Sequence, residues 1–279
     1  MTKHLLIRLL ALPLTLVVLL PAHGQRGWEV GGSLGVSYYF GDLNTSYSLN
    51  KPGPAASLNA RFNFNTRTSV SFNGSYAYIY ADDADSKNDY ERTRNLSFAS
   101  HLADLAATLE FNFLPYRHGS YNESFTPYVL TGFSVFHFNP RAQLNDEWFN
   151  LRDFGTEGQQ PGNEYFLVSG SWVFGGGFKM DLNRVWSINI EINSHQVFTD
   201  YLDDVSTTYP DKTTLRNRRG MTAVLLSDRS IENDQFPELG QEGKQRGDSK
   251  DNDSFNIFKV SLMYYFGKVR CPAISQPLW

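Results

Sequence analysis

The sequence predicts an all-β protein, an eight-stranded antiparallel transmembrane β-barrel with long extracellular loops and short periplasmic turns. Three observations support this prediction: apolar side chains recur at every second residue in eight segments, short and long connections alternate between these segments, and aromatic residues gather at the segment ends. The segment WSINIEIN shows the alternation most clearly, because Trp186, Ile188, Ile190 and Ile192 are separated by Ser, Asn and Glu. Such a strand presents one apolar and one polar face.

Before the first of these segments, the N-terminus has the pattern of a secretory signal. Lys3 and Arg8 precede an apolar run from Leu9 to Leu20, and small residues precede a cleavage point after Gly24. A retained membrane anchor is the alternative, but the run is shorter than the roughly 20 residues that a spanning helix needs. We therefore expect residues 1–24 to be removed.

The first four predicted strands alternate apolar side chains with polar or small ones. Trp28, Val30 and Leu34 in the first strand, for example, alternate with Glu29 and Ser33. Period-two alternation is the pattern of a strand with two different environments on its faces. The predicted ranges are Trp28–Tyr39, Ala56–Phe64, Val70–Tyr80 and Leu105–Phe113.

The last four predicted strands include one exception to the alternation. The segment Pro127–Phe138 is apolar on both faces, whereas the other three keep polar or small residues on one face. The ranges of those three are Val168–Met180, Trp186–Phe198 and Phe258–Phe266. Aromatic residues at the strand ends, such as Trp28 and Tyr264, stand where the interfacial girdles of a membrane barrel are expected.

The connections between the strands predict an orientation. Short turns at 65–67, 114–124 and 181–184 alternate with long polar loops at 41–54, 81–97, 139–163 and 199–253. This layout is typical of outer-membrane barrels, and an even number of strands places both termini on the periplasmic side. A closed sheet pairs every backbone polar group, as hydrocarbon requires. A soluble β-sandwich would also show period two, but its apolar face would be buried.

These boundaries divide the chain into three parts. We expect a signal peptide at 1–24, an outer-membrane barrel at 25–267 and a periplasmic tail at 268–279. The formal net charge of −4 implies no bulk attraction to nucleic acid, and the single Cys271 excludes an intrachain disulfide.

Eight strands also limit what the barrel can transport. The interior of a barrel of this size is filled by side chains, so a general porin is excluded. We expect ion pairs to plug the lumen, with Glu29 opposite Arg61 and Glu191 opposite Lys259, because unpaired buried charges are costly. An ion pathway or proton relay is the alternative role of the same residues. The predicted lumenal charges are Glu29, Arg61, Asp104, Glu110, Lys179, Glu191 and Lys259.

The sequence predicts neither a catalytic site nor a cofactor. His101 and His195 lie in strands among many Ser residues, but no spacing joins a Ser to a His and an acid, and triads are recognised by geometry. Asp200, Asp203 and Asp204 form a weak metal candidate, because oxygen ligands suit Ca²⁺ or Mg²⁺ while the spacing matches no EF-hand loop. The tripeptide Arg246-Gly247-Asp248 resembles an integrin ligand, and we interpret it as a chance match in a flexible polar loop.

Five longer segments have distinctive sequences, namely YYFGDLN (38–44), TPYVLTGFSVFHFNP (126–140), GTEGQ (155–159), FTDYLDDVSTTY (198–209) and YYFGKVRCP (264–272). These segments resemble the PorG family, small outer-membrane barrels of the type IX secretion system of Bacteroidetes. The resemblance covers nearly all of the mature chain. It implies a non-enzymatic barrel that associates with the periplasmic ring of the PorK lipoprotein and PorN and anchors this ring to the outer membrane.

A periplasmic partner of this kind would contact the short-turn rim and the C-terminal tail. We expect Tyr116, Arg117, Lys268 and Arg270 to take part, since aromatic and Arg residues are enriched at interface hot spots. Two other functions stay open from the sequence alone. One is a freestanding OmpA-like structural or surface-interaction barrel, and the other is a lipid-modifying barrel enzyme.

Overall fold

The computed structural model describes residues 26–231 and 233–267. The predicted signal peptide at 1–24 and the predicted tail at 268–279, with Lys268, Arg270 and Cys271, lie outside these residues. The strands are β1 (Gly27–Phe40), β2 (Gly53–Asn63), β3 (Thr68–Asp82), β4 (Ser97–Asn112), β5 (Phe125–His137), β6 (Arg141–Leu144), β7 (Glu147–Asn150), β8 (Val168–Asp181), β9 (Trp186–Val197) and β10 (Ser254–Phe266). The α-helices are α1 (Asp89–Arg94), α2 (Leu151–Phe154), α3 (Lys212–Arg219) and α4 (Met221–Ser227), and a 3₁₀ helix covers Asp83–Asp85.

Eight of these strands close into an antiparallel barrel, which confirms the predicted fold class. The order around the ring is β1, β2, β3, β4, β5, β8, β9 and β10, and β10 pairs with β1 to close it. Each strand therefore has a hydrogen-bonded neighbour on both sides, so the barrel wall has no free edge. No helix of the described residues combines the length and apolarity needed to cross a membrane.

The outer face of the barrel is apolar and exposed. Leu34, Leu58 and Leu105 are 74%, 76% and 72% exposed, and they belong to a band of large apolar side chains around the wall. Soluble monomers rarely expose a contiguous apolar surface of this extent, whereas a membrane barrel presents such a band to lipid.

The polarity of the wall reverses near the long-loop rim. Here Phe98 and Leu102 of β4 face inward and are buried, while His101 between them faces outward. The strand begins at Ser97, so the predicted start at Leu105 was wrong. The apolar side chains at this end of the strand lie on the inner face, so the outward alternation does not extend to it. The inner faces at this height belong to a hydrophobic core that the loops complete.

The four long loops fold over this end of the barrel, and we call the resulting structure the cap. The loop after β5 adds the β6–β7 hairpin, and β6 extends the sheet by pairing Arg141 with Ala99 of β4. The loop after β9 adds α3 and α4. Loop side chains pack onto inward-facing strand side chains in one cluster that includes Tyr39, Leu43, Ile79, Leu96, Phe98, Leu102, Phe136, Phe138, Leu151, Val197, Leu202, Val205, Leu226, Phe255 and Ile257.

Candidate functional site

The lower half of the lumen, towards the short turns, holds a buried network of charged side chains. Glu29 of β1 and Arg61 of β2 are directly opposite in register, and Arg61 Nη1 lies 2.9 Å from Glu29 Oε2. Arg61 Nε also lies 2.8 Å from Glu110 Oε2, and Lys179 Nζ lies 2.5 Å from the same oxygen. The Lys179 ammonium sits 4.3 Å from the ring centroid of Tyr128, within the range of a cation–π contact.

A second charged pair lies above this network. Lys259 of β10 is opposite Glu191 of β9, and its Nζ lies 3.0 Å from Glu191 Oε1. The Tyr128 hydroxyl donates to Glu191, and Asn193 Nδ2 donates to it at 2.8 Å. Six of the seven predicted lumenal charges are thus brought together as ion pairs that fill the bore.

The seventh predicted charge, Asp104, lies higher and has a different environment. Its nearest ionic contact is His195 Nδ1, 3.9 Å from Asp104 Oδ1. The same His195 nitrogen lies 3.2 Å from Ser171 Oγ and 3.4 Å from Ser134 Oγ, and these hydroxyls are 2.8 Å apart. A catalytic triad needs the Ser and the acid on opposite ring nitrogens, so this buried cluster does not form one. His101 is not part of it, because it faces outward.

A buried histidine lies in the short-turn mouth of the barrel, against the rings of Tyr116 and Tyr265, and we call it the plug. His118, in the turn between β4 and β5, lies with Nε2 3.1 Å from Glu29 Oε1 and with Nδ1 2.9 Å from Asp181 Oδ1. Its ring stacks on that of Tyr265 with 4.4 Å between centroids. Burial by itself lowers the pKa of His118, but the two carboxylates outweigh burial and raise this pKa to about 9. The plug is therefore an imidazolium at neutral pH.

The cap at the other mouth is held by two buried arginines. Arg94 forms a bidentate pair with Asp83 at 2.8 and 2.9 Å, and it donates to the carbonyl oxygens of Asp42 and Arg246 at 2.7 and 2.6 Å. Arg246 in turn lies 3.1 Å from Glu157 and 3.5 Å from Asp204. Together they tie all four long loops to one another. Arg246 is 1% exposed, so the tripeptide at 246–248 is not displayed as an integrin-type ligand.

The three aspartates of the weak metal candidate have different partners. Asp204 accepts hydrogen bonds from Thr156 and from Tyr165, whereas Asp203 accepts one from the Tyr39 hydroxyl at 2.5 Å. Among residues 26–231 and 233–267, no three His, Cys, Asp or Glu side chains are arranged to hold a metal ion. Burial raises the pKa of Asp200 to about 7 and that of Asp204 to about 6, and it raises the pKa of Asp203 well above its usual range.

Asp253 shares the Tyr39 hydroxyl with Asp203. The hydroxyl oxygen lies 2.9 Å from Asp253 Oδ1, and burial raises the pKa of this carboxyl well above its usual range as well. One O–H group can donate to only one carboxylate. A proton on one of the two aspartates would supply the second donor that this arrangement needs.

The structure separates the predicted partner-binding residues. Tyr116 is only 5% exposed, and its hydroxyl donates to Asp181 at 2.5 Å inside the mouth. Arg117 is exposed and pairs with Glu123 at 3.2 Å. Tyr121, in the same turn, is 98% exposed.

Sequence reasoning missed the two groups that close the mouths. His118 stands in a turn with no periodic pattern, and Arg246 stands in a polar run that resembles a flexible loop. Neither is the only basic residue in its connection, and basic residues of this kind are usually exposed. Both are buried here because carboxylates from distant strands and loops converge on them.

A family model matches residues 7–220 of the chain, with the description "Domain of unknown function (DUF6089)". No curated protein matches the sequence.

Solved outer-membrane barrels resemble the structure at low sequence identity. OprG from Pseudomonas aeruginosa has 10% identity and a TM-score of 0.45, covering 88% of this chain and 99% of its own. Neisserial surface protein A has 8% identity and a TM-score of 0.43, covering 88% and 100%. The attachment invasion locus protein Ail of Yersinia pestis has 10% identity and a TM-score of 0.39, covering 87% and 99%. These values concern fold alone. The family match spans well over half of the sequence, and the chain belongs to the DUF6089 family.

Proposed function

We propose that this protein is a non-enzymatic outer-membrane barrel that anchors the periplasmic PorK/PorN ring of a type IX secretion system. The observation that carries the proposal is the combination of an exposed apolar wall with a lumen filled by the Arg61, Glu29, Glu110 and Lys179 network. The wall suits a position in lipid, and the filled bore suits a structural part better than a conducting one. The ring partners come from the sequence resemblance alone.

The short-turn rim is the surface that such a ring would meet. It presents Tyr121 fully exposed and Arg117 half-exposed, and both lie in the turn that carries the plug. Exposed aromatic and Arg residues are frequent anchors of protein interfaces. On this proposal both termini and this rim face the periplasm.

Deletion of the gene, followed by fractionation of the cells, tests the proposal. We expect cargo secretion to fall and the ring proteins to leave the outer-membrane fraction. Tyr121→Ser should weaken ring recovery in crosslinked pull-downs, and Tyr47→Ser, an exposed aromatic in the cap, serves as the matched control. Unchanged secretion and unchanged ring recovery in the deletion strain would contradict the proposal.

The folded cap favours a second candidate function, a freestanding barrel that binds a ligand or surface outside the cell. Trp148 in β7 and Met221 in α4 are exposed on the cap and would be available to such a partner. Trp148→Ser together with Met221→Ser would abolish function on this alternative and leave ring anchoring intact on the first. Both side chains are more than half exposed, so the double variant should keep the fold.

A further inference from the structure

The outer wall of the barrel is interrupted by a groove across β3, β4 and β5. The groove has a volume of about 670 Å³ and continues into a second depression of about 480 Å³ that shares Gly74, Leu105 and Val135. Small outward-facing residues line it, namely Gly74, Ala103 and Ala107, between larger side chains such as Phe133. The wall is almost entirely apolar, and the volume of this open groove lies within the range of small-molecule sites.

The end of the groove nearest the cap is polar and basic. His137 lines the groove directly opposite Ala103, and the Tyr76 hydroxyl lies 2.9 Å from His101 Nδ1. Arg141 follows along the same outer face, opposite Ala99 of β4. Both histidines and Arg141 are exposed, and Arg141 forms no ion pair with the described residues. A free cation thus stands at the rim, directly beyond an apolar channel.

We propose that the groove binds one acyl chain of a membrane lipid whose headgroup is anionic and carries a phosphate, with the phosphate held by Arg141, His101 and His137. Arg pairs with phosphate through charge-assisted hydrogen bonds, and the two imidazoles add hydrogen-bonding groups on the same outer face, at the next two outward positions towards the apolar channel. The apolar channel below the headgroup site buries the acyl chain. The hydrophobic effect favours this burial, as it favours lipid contacts elsewhere on the wall. The inference rests on the membrane location proposed above.

Gly74 allows the groove to be filled without disturbing the barrel. A Cβ atom built at this residue meets only Leu105 Cδ2, at an ordinary contact distance of 3.5 Å. Gly32 offers a matched control, because it faces outward on β1, lies outside the groove, and its Cβ would meet only Ser57 O at 3.8 Å. Trp at either position should therefore be accommodated, and only Gly74→Trp fills the groove.

Native mass spectrometry of the detergent-purified protein tests the proposal. The probes are phosphatidylglycerol, which is anionic, and phosphatidylcholine with the same chains, which is not. We expect one retained phosphatidylglycerol, favoured about fivefold over phosphatidylcholine, as is typical of one basic residue near a lipid surface. Gly74→Trp should reduce retention of both lipids to background, and Gly32→Trp should leave it unchanged. Arg141→Gln should remove the headgroup preference and keep the chain-dependent retention.

Three results would overturn the proposal. One is equal lipid retention by Gly74→Trp and Gly32→Trp, which indicates annular lipid only. Another is equal retention of the two lipids by the wild-type protein. The third is a lipid-free dimer mass that Gly74→Trp abolishes, which would mean that a second copy covers the groove. A protein that stays folded and monomeric without detergent would instead contradict the membrane location itself, so the two failures are distinguishable.

Discussion

The two mouths of the barrel are closed in different ways. At the long-loop end, four loops are tied together by Arg94 and Arg246 over a hydrophobic core. At the short-turn end, the buried His118 of one turn lies between Glu29 and Asp181 and stacks on Tyr265. Guanidinium groups stay charged at every relevant pH, whereas an imidazole does not. The cap ties are therefore insensitive to deprotonation of their cations, and the plug depends on a proton.

The prediction with the largest expected effect concerns the lumenal network. Breaking this network should loosen the plug and leave the cap unchanged. Arg61→Met should destabilise the barrel by about 4–5 kcal/mol, near the top of the range for broken buried pairs, because Glu29 and Glu110 both lose a partner. Hydrogen exchange should increase in the turn at 114–124, because Glu29 also holds His118, and it should not increase in the cap. Arg184→Met, in an exposed turn, is the control. Equal loss of protection at both mouths would show that the ends are not independent.

Breaking the cap is expected to have the next largest effect. Arg246→Met leaves Glu157 and Asp204 buried without their cation, which should cost about 3 kcal/mol, near the lower end of the range because a loosened cap admits water. Limited proteolysis should then cleave the loop at 199–253 while the strands stay protected. Lys244→Met removes an exposed, solvent-screened pair with Glu238 and should leave the protease resistance of the cap unchanged. A cap that resists protease as well as the Lys244→Met control would contradict the role of Arg246.

The plug should show the clearest pH dependence. The pKa of His118 is about 9 in the folded protein against 6.5 for the free side chain, so its stabilisation is fully present below pH 6.5 and is lost as pH rises through about 9. The corresponding change in the free energy of unfolding is on the order of 3 kcal/mol. Urea unfolding midpoints at pH 7 and pH 9.5 should therefore differ in the wild type and converge in His118→Gln. His137→Gln, at the exposed rim, should keep the wild-type difference, and a pH-independent wild type would refute the prediction.

The smallest expected effect concerns a single acid in the cap. Burial raises the pKa of Asp200 to about 7, so the stability linked to its protonated form is present at low pH and lost as pH rises through about 7. Asp200→Asn should therefore slow hydrogen exchange in the cap slightly at pH 8 and leave the exchange rates unchanged at pH 4. We expect less than about 1 kcal/mol, since the side chain is partly exposed and its charge is screened. Exchange rates of the loop amides at the two pH values measure it, and a loss of protection in Asp200→Asn at pH 8 would contradict the sign.

The contrast between the mouths also explains what sequence reasoning could reach. The alternation of apolar residues predicts the strands of the barrel wall, because the outer face meets one environment along most of each strand. Pairing of the first two predicted strands is then enough to place Glu29 opposite Arg61. The alternation fails at Ser97–Asp104, because the inner face there meets a hydrophobic core instead of a polar lumen. The segment Pro127–Phe138 is apolar on both faces for the same reason, since its upper end enters that core while its outer face stays in the apolar band.

The contacts at the two mouths could not be predicted from sequence periodicity. His118 and Arg246 are held by carboxylates from segments far away in the chain, and no periodicity links a turn or a polar loop to such partners. The Ser171 and His195 cluster is likewise a consequence of barrel closure, because register on neighbouring strands brings the two side chains together. The spacing of apolar residues within a strand predicts on which face of the sheet each side chain lies. Contacts between loops depend on the whole fold, so this spacing does not predict them.

Electrical recording of the barrel reconstituted in a planar lipid bilayer tests the central claim most directly, namely that the apolar wall sits in lipid around a bore sealed along its length. The protein should insert and show no steady ionic conductance at neutral pH, where the plug is charged and the lumen is filled. A stable open channel in the wild-type protein, or a protein that stays dissolved and does not enter the bilayer, would contradict the account.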